Sequence, residues 1–134
     1  MNVDDVIDRL TKAQAPERKF DGDIAEVAGW KRVVERVVDT QGKNSSKTTW
    51  YPPNSGNMGR VPEYTTNLQL AYELFEQLCP NQNAGIAWGD GYASAQVLDG
   101  PLVERAATPP MALCILALKA HGARIAGRET EYRE

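Results

Sequence analysis

Histidine is almost missing from this chain: His121 is the single one in 134 residues. Any Ser-His-Asp or Cys-His arrangement would have to be built around it. It falls near the end of a helix-forming stretch, where a cation is favoured by the helix dipole. No H-x-x-x-H pair accompanies it, and the carboxylates are scattered, so the sequence offers no zinc site and calls for no metal or cofactor. Cysteine is scarce as well. Cys79 and Cys114 lack C-x-x-C spacing and histidine neighbours, and read as small core residues in a reducing compartment, the cytoplasm by default. No apolar run approaches the ~20 residues of a membrane span. The acidic start Met1-Asn-Val-Asp-Asp resembles neither a secretory signal nor a transit peptide. The glycines near residues 56–59 and 85–91 form no P-loop and no G-x-G-x-x-G opening a helix. With no reaction signature, the expectation is a non-enzymatic protein.

What is present suits a single soluble domain over residues 1–134. Apolar residues are 42% of the chain, enough to build a core without disulfide staples. The net charge of −3 makes nucleic acid an improbable general partner, but the charge is uneven. Residues 30–60 hold Lys31, Arg32, Arg36, Lys43, Lys47 and Arg60 against Glu35 and Asp39. Such a basic middle is read first as an ordinary solvated strand face and second as an anion-attracting patch.

Val3, Val6, Ile7 and Leu10 fall on one helical stripe that ends before Pro16, with Asp4, Asp5 and Asp8 in its early turns. A second helix starts at Pro16 or Glu17, buries Phe20, Ile24 and Val27, and stops at Gly29. Gly22 weakens it by roughly 1 kcal/mol relative to alanine. Trp30 to Val38 fits a helical stripe, yet four valines in nine residues favour an extended chain. Strand, polar turn at Gln41–Lys47, and strand at Thr48–Tyr51 is the preferred reading, followed by an irregular Pro/Gly loop. Thr65 or Thr66 caps a third helix, with Leu68, Ala71, Tyr72, Phe75 and Leu78 on its inner face.

Asp90-Gly91 is the preferred pair for a two-residue type I′ hairpin turn. Folding about it pairs Trp88 with Ala93, Ile86 with Ala95 and Ala84 with Val97. That puts all six on one apolar face, with Trp88, Ile86 and Val97 buried and Gln96 more exposed. Thr108 then caps a last helix with Pro109 at its first position. Met111 to Leu118 is apolar almost all round, so this helix is buried on several sides, and the charged stretch 122–134 reads as a frayed tail. The class is α+β: an antiparallel sheet of two β-hairpins packed with helices, in the order α-α-β-β-α-β-β-α.

Arg60, Tyr64, Thr65 and Thr108 gather a guanidinium and hydroxyls at two helix starts, where unpaired N–H groups and the dipole complement an anion. Trp50, beside the Pro/Gly loop, is the aromatic best placed to stack on a base. Against this, hydroxyls at helix starts most often cap their own helix.

Three segments have a familiar pattern: Val61-Pro-Glu-Tyr-Thr-Thr-Asn-Leu-Gln-Leu-Ala, Asn83-Ala-Gly-Ile-Ala-Trp-Gly-Asp-Gly and Ala106-Ala-Thr-Pro-Pro-Met-Ala-Leu-Cys-Ile-Leu-Ala-Leu. Together they make residues 17–121 resemble small bacteriophage and prophage proteins of the phage α-β-α sandwich and NinX-like type. Such relatives often carry an acid shortly after the threonine pair, where this chain has Asn67, Leu68 and Gln69. The matching residues form a fold rather than a reaction signature, and fold likeness supplies no catalytic residue. The resemblance implies an accessory protein of the host cytoplasm that acts by binding a host or phage protein, or by self-assembly into a homo-oligomer. The alternative is a binder of a small anionic ligand or nucleotide, such as a host defence signal to be sequestered.

Overall fold

The computed structural model describes the backbone of residues 2–98 and 100–132, and the side chains of these as far as residue 122. Helix α1 (Val3–Lys12) is capped by Asn2, whose side chain accepts from the Asp4 N–H at 3.0 Å. Helix α2 (Arg18–Val27) ends in a left-handed Gly29 at φ 101°, a conformation that costs glycine nothing. There Trp30 N–H donates to Ala25 C=O and Gly29 N–H to Glu26 C=O, the two bonds of a Schellman stop.

The valine-rich stretch is extended. Strand β1 (Lys31–Val38) pairs antiparallel with β2 (Asn44–Tyr51) along its whole length, from Lys31 opposite Tyr51 to Val38 opposite Asn44. After β2 the chain folds back on itself, and Gly59 N–H donates to Trp50 C=O at 2.9 Å. Helix α3 (Leu68–Leu78) then leads into β3 (Ala84–Gly89), β4 (Tyr92–Val97), β5 (Val103–Ala106) and the long α4 (Pro109–Tyr132).

The α+β class and the order of helices and hairpins are those the sequence implies. Three features differ. The hairpins do not join: β1–β2 is a separate ribbon, and β3-β4-β5 form a sheet of their own. Strand β5 was expected to be plain connection; at four residues it is too short to show an alternating pattern, and it pairs Ala106 with Ala93 and Glu104 with Ala95. The charged stretch after Gly122 was expected to fray, yet the backbone of α4 is helical to Tyr132, and residues 133–134 lie outside the described part. Composition there is no obstacle, since Ala, Arg and Glu are all good helix formers.

Helix α4 is the centre of the molecule. One side lies on β4 and β5, the other against α3, with α1 and α2 closing the flanks. Met111 through Leu118 are at most 2% exposed, as an all-apolar stretch requires. Two cysteines join the helices: Cys79 Sγ donates to Ala117 C=O, and Cys114 Sγ to Tyr64 C=O. Both are buried thiols outside any disulfide.

The β3–β4 register is the one dictated by Asp90-Gly91, with both turn residues at positive φ. Ala93, Ala95 and Val97 are buried, and Gln96 is exposed. Ile86, also expected to be buried, is half-buried against the core, and Trp88 departs furthest, 73% exposed where burial was expected. The reason is β5, which adds beside β4 and makes β4 the middle strand. Helix α4 settles over β4 and β5, leaving Trp88 on an uncovered edge. The inner face of α3 is likewise turned: Ala71, Leu74, Phe75 and Leu78 are buried, while Leu68 and Tyr72 are 42% and 49% exposed.

Leu113→Ala and Leu116→Ala should each lower unfolding stability by about 2–5 kcal/mol, the range for emptying a packed leucine site. Urea denaturation measures this; a loss under about 1 kcal/mol at both positions would contradict the central placement of α4.

Candidate functional site

A carboxylate in the core organises the region around the ribbon base. Asp21 lies on the buried face of α2 at 1% exposure, beside Phe20, Ile24 and Ala25. Its Oδ1 accepts from both the N–H and the hydroxyl of Thr65, each at 2.8 Å. Its Oδ2 pairs with Arg18 Nη1 at 3.0 Å. The Arg18 guanidinium then donates onward to the carbonyls of Pro62 and Val61. This chain of bonds fixes residues 61–65 against α2, and among the described residues no buried side-chain polar atom is left without a partner.

Val61, at the start of this fixed segment, and the loop leading into it from Met58 form one wall of a groove of about 580 Å³. Helix α2 supplies Arg18, Lys19 and Gly22, the ribbon base supplies Arg32, Lys47 and Trp50, and the returning loop supplies Met58 and Arg60. Close contact sets its floor: a Cβ on Gly22 would stand 3.2 Å from Cζ2 of Trp50, so the indole lies directly on the helix backbone. Five cationic side chains line the groove against Asp23 and Glu26. Arg60 pairs with Glu63 at 3.1 Å, but Arg32 and Lys47 make no ion pair among the described residues. A groove with more cations than carboxylates in its lining, Arg32 and Lys47 unpaired among them, and with an aromatic wall suits an anion carrying a flat ring.

The expected site residues divide sharply. Arg60 and Trp50 line the groove. Thr65 was expected to cap α3 or contact an anion, and does neither. At 0% exposure it gives both donors to Asp21, and Asn67 caps α3 by accepting from the Leu70 N–H at 3.1 Å. Tyr64 is buried at 4% exposure, facing Trp30 and Cys114 instead of solvent. Thr108 caps α4 by accepting from Met111 N–H, and takes no part in lining the groove. The two helix starts therefore form no common cradle.

Sequence reasoning missed Arg18 and Lys19, although a signal was there. Both sit in the first turn of α2, where the dipole disfavours cations. A breach of a local rule is commonest where a residue serves something else. His121 is half-buried in α4, away from the groove lining. Among the described residues no three His, Cys, Asp or Glu side chains come together to hold a metal. No described helix is long and apolar enough to cross a membrane. Compared with known proteins, the chain matches no family model, and no curated protein or solved structure is significantly similar to it.

Burial shifts two groups beside the Asp21 network. The Tyr64 hydroxyl is pushed from 10.0 up to about 12, chiefly by desolvation; a hydrogen bond with Trp30 opposes the shift, and Cys114 and Asp21 add to it. The Cys114 thiol is raised as well, by burial first and then by the Asp21 charge, so it is protonated and unreactive at neutral pH.

Asp21→Ala should cost about 3 kcal/mol, because it strands the Thr65 donors and the Arg18 charge. Thr65→Val should cost about 1–2 kcal/mol. Denaturant midpoints measure both, and a neutral Asp21→Ala would break the argument. For Tyr64 the sign follows from a folded value above the unfolded one. Its contribution is intact below pH 10.0 and is lost as pH rises towards about 12. Alkaline unfolding should be shallower in Tyr64→Phe than in the wild type, and matching curves would refute the shift.

Proposed function

We propose that the Trp50 groove binds a small anionic ligand of the nucleotide class, holding it without chemical change. The observation that carries this reading is the convergence of Arg18, Lys19, Arg32, Lys47 and Arg60 around one tryptophan. They come from three separate stretches of a chain whose net charge is −3. A phosphate would meet Arg32, Lys47 and Arg60, with bidentate contacts from the guanidinium groups. A base or other flat ring would lie on Trp50. Arg18 is committed to Asp21 and the 61–62 carbonyls, so it contributes field more than direct contact. Binding without turnover suits sequestration of a signalling nucleotide.

A second reading, an accessory protein that acts on a host or phage protein, is supported by Trp88. A tryptophan 73% exposed on a sheet edge is the kind of side chain that anchors protein interfaces.

Thermal shift and calorimetry with mono-, di- and cyclic nucleotides test the first reading. A ligand at 100 times its Kd should stabilise the wild type by roughly 2.7 kcal/mol. Lys47→Ala and Arg60→Ala should each weaken binding about tenfold, roughly 1.4 kcal/mol. Trp50→Phe should retain part of the affinity. No heat and no thermal shift with any nucleotide would reject the groove as a nucleotide site and leave the protein-partner reading.

A further inference from the structure

The β1–β2 ribbon is unsupported beyond its base. Val33, Thr49, Trp50 and Tyr51 are half-buried, but every residue from Val34 to Thr48 is exposed. Neither strand packs substantially on any other helix or strand. A lone two-stranded hairpin is marginal in water, and this one displays Val34, Val37 and Val38 at 54%, 40% and 60% exposure. On the face that continues from Trp50 the residues alternate Arg32, Val34, Arg36, Val38, opposite Trp50, Thr48, Ser46 and Asn44. A shallow depression of about 410 Å³ lies there between Val34, Arg36, Asn44, Ser45 and Ser46.

The rest of the same chain carries the complement. Of its fifteen basic and eighteen acidic residues, the ribbon holds five and two, leaving ten and sixteen elsewhere. Helix α3 contains Glu73 and Glu76 and no basic residue, and its outer face exposes Leu68 and Tyr72 one turn apart. Tyr72 hydrogen-bonds Glu76 across the next turn. An apolar and acidic helix face thus stands unpartnered on a molecule whose projecting ribbon is apolar and basic.

We infer that the protein self-associates as a two-fold dimer in which each β1–β2 ribbon lies on the α3 face of a second copy. Tyr72 enters the depression beside Val34, and Arg36 meets Glu73 and Glu76. The ribbon, about 26 Å long at 3.3 Å per residue, exceeds the roughly 16 Å of α3 and can span it. One such contact, between a two-stranded ribbon and a single helix face, is small beside the ~1,200 Å² of a stable interface. Reciprocal exchange about a two-fold axis doubles it, and so the arrangement demands symmetry. The inference is independent of the groove ligand.

Sedimentation equilibrium of the full chain from about 1 to about 500 µM tests it. The wild type should dimerise, more weakly at about 1 M NaCl because exposed ion pairs are screened. Tyr72→Ser, Arg36→Glu and Glu73→Arg, all surface changes, should each weaken the dimer at least about tenfold, roughly 1.4 kcal/mol. Arg36→Glu combined with Glu73→Arg should recover much of the loss, since the ion pair is restored with its sign reversed. A chain monomeric throughout the range would overturn the inference. So would dimerisation unchanged by all three single variants, or a monomer whose ribbon instead binds single-stranded oligonucleotide through Arg36.

Discussion

The Asp21 carboxylate is the constraint from which the groove side of the molecule is built. A charge at 1% exposure is tolerable only with its oxygens fully engaged, and here Oδ1 takes two donors and Oδ2 an arginine. Satisfying it dictates more than local geometry. Thr65 must face inward, so it cannot cap α3, and the cap passes to Asn67. Arg18 must reach across to residues 61 and 62, which holds the loop after the ribbon against α2. The groove is the space left between these two fixed walls and the ribbon base. Its shape depends on a buried ion pair, Arg18 with Asp21.

A second constraint is the all-apolar run of α4. A helix with no polar face has to be surrounded, and a two-stranded hairpin is too narrow to cover one side of it. The short strand β5 widens the sheet, and Lys119 on α4 pairs with Glu104 of β5 at 2.9 Å to seal that side. The cost of widening towards β5 is that β3 becomes an edge and Trp88 goes uncovered.

Legibility in the sequence follows the range of the interactions involved. Local signals were readable: the Asp90-Gly91 turn fixed the register to the residue, Gly29 stopped α2, and Thr108 with Pro109 opened α4. The buried extent of α4 was equally plain. What depends on partners distant in sequence was not. Nothing near Thr65 announces Asp21, forty-four positions earlier. The α3 stripe was misjudged by including Leu68 and Tyr72, because the helix orients on Leu74 and Phe75 against α4. Of the residues expected at a site, Arg60 and Trp50 line the groove, while Tyr64, Thr65 and Thr108 carry structural duties that explain them fully. Asp21 was still visible in principle, as a charge written into the apolar stripe of Phe20, Ile24 and Ala25.

Local rules broken together in one short segment point to the groove more clearly than any single motif. Within five residues α2 puts two cations in its first turn, a carboxylate on its buried face, and a glycine in its interior. Each is unfavourable for an isolated helix: the cations oppose the dipole, the carboxylate resists burial, and glycine costs roughly 1 kcal/mol against alanine. Each has a compensation in the folded molecule. Arg18 neutralises Asp21, Asp21 anchors the loop wall, and Gly22 lets Trp50 lie within 3.2 Å of where a Cβ would stand. Lys19 is the exception: its ammonium lies 5.8 Å from the Phe20 ring, a weak contact that does not offset its position. A lysine that gains little within the fold and lines the same groove as Arg32, Lys47 and Arg60 adds to a local excess of cations that packing alone does not call for, and the proposed anionic ligand would account for it.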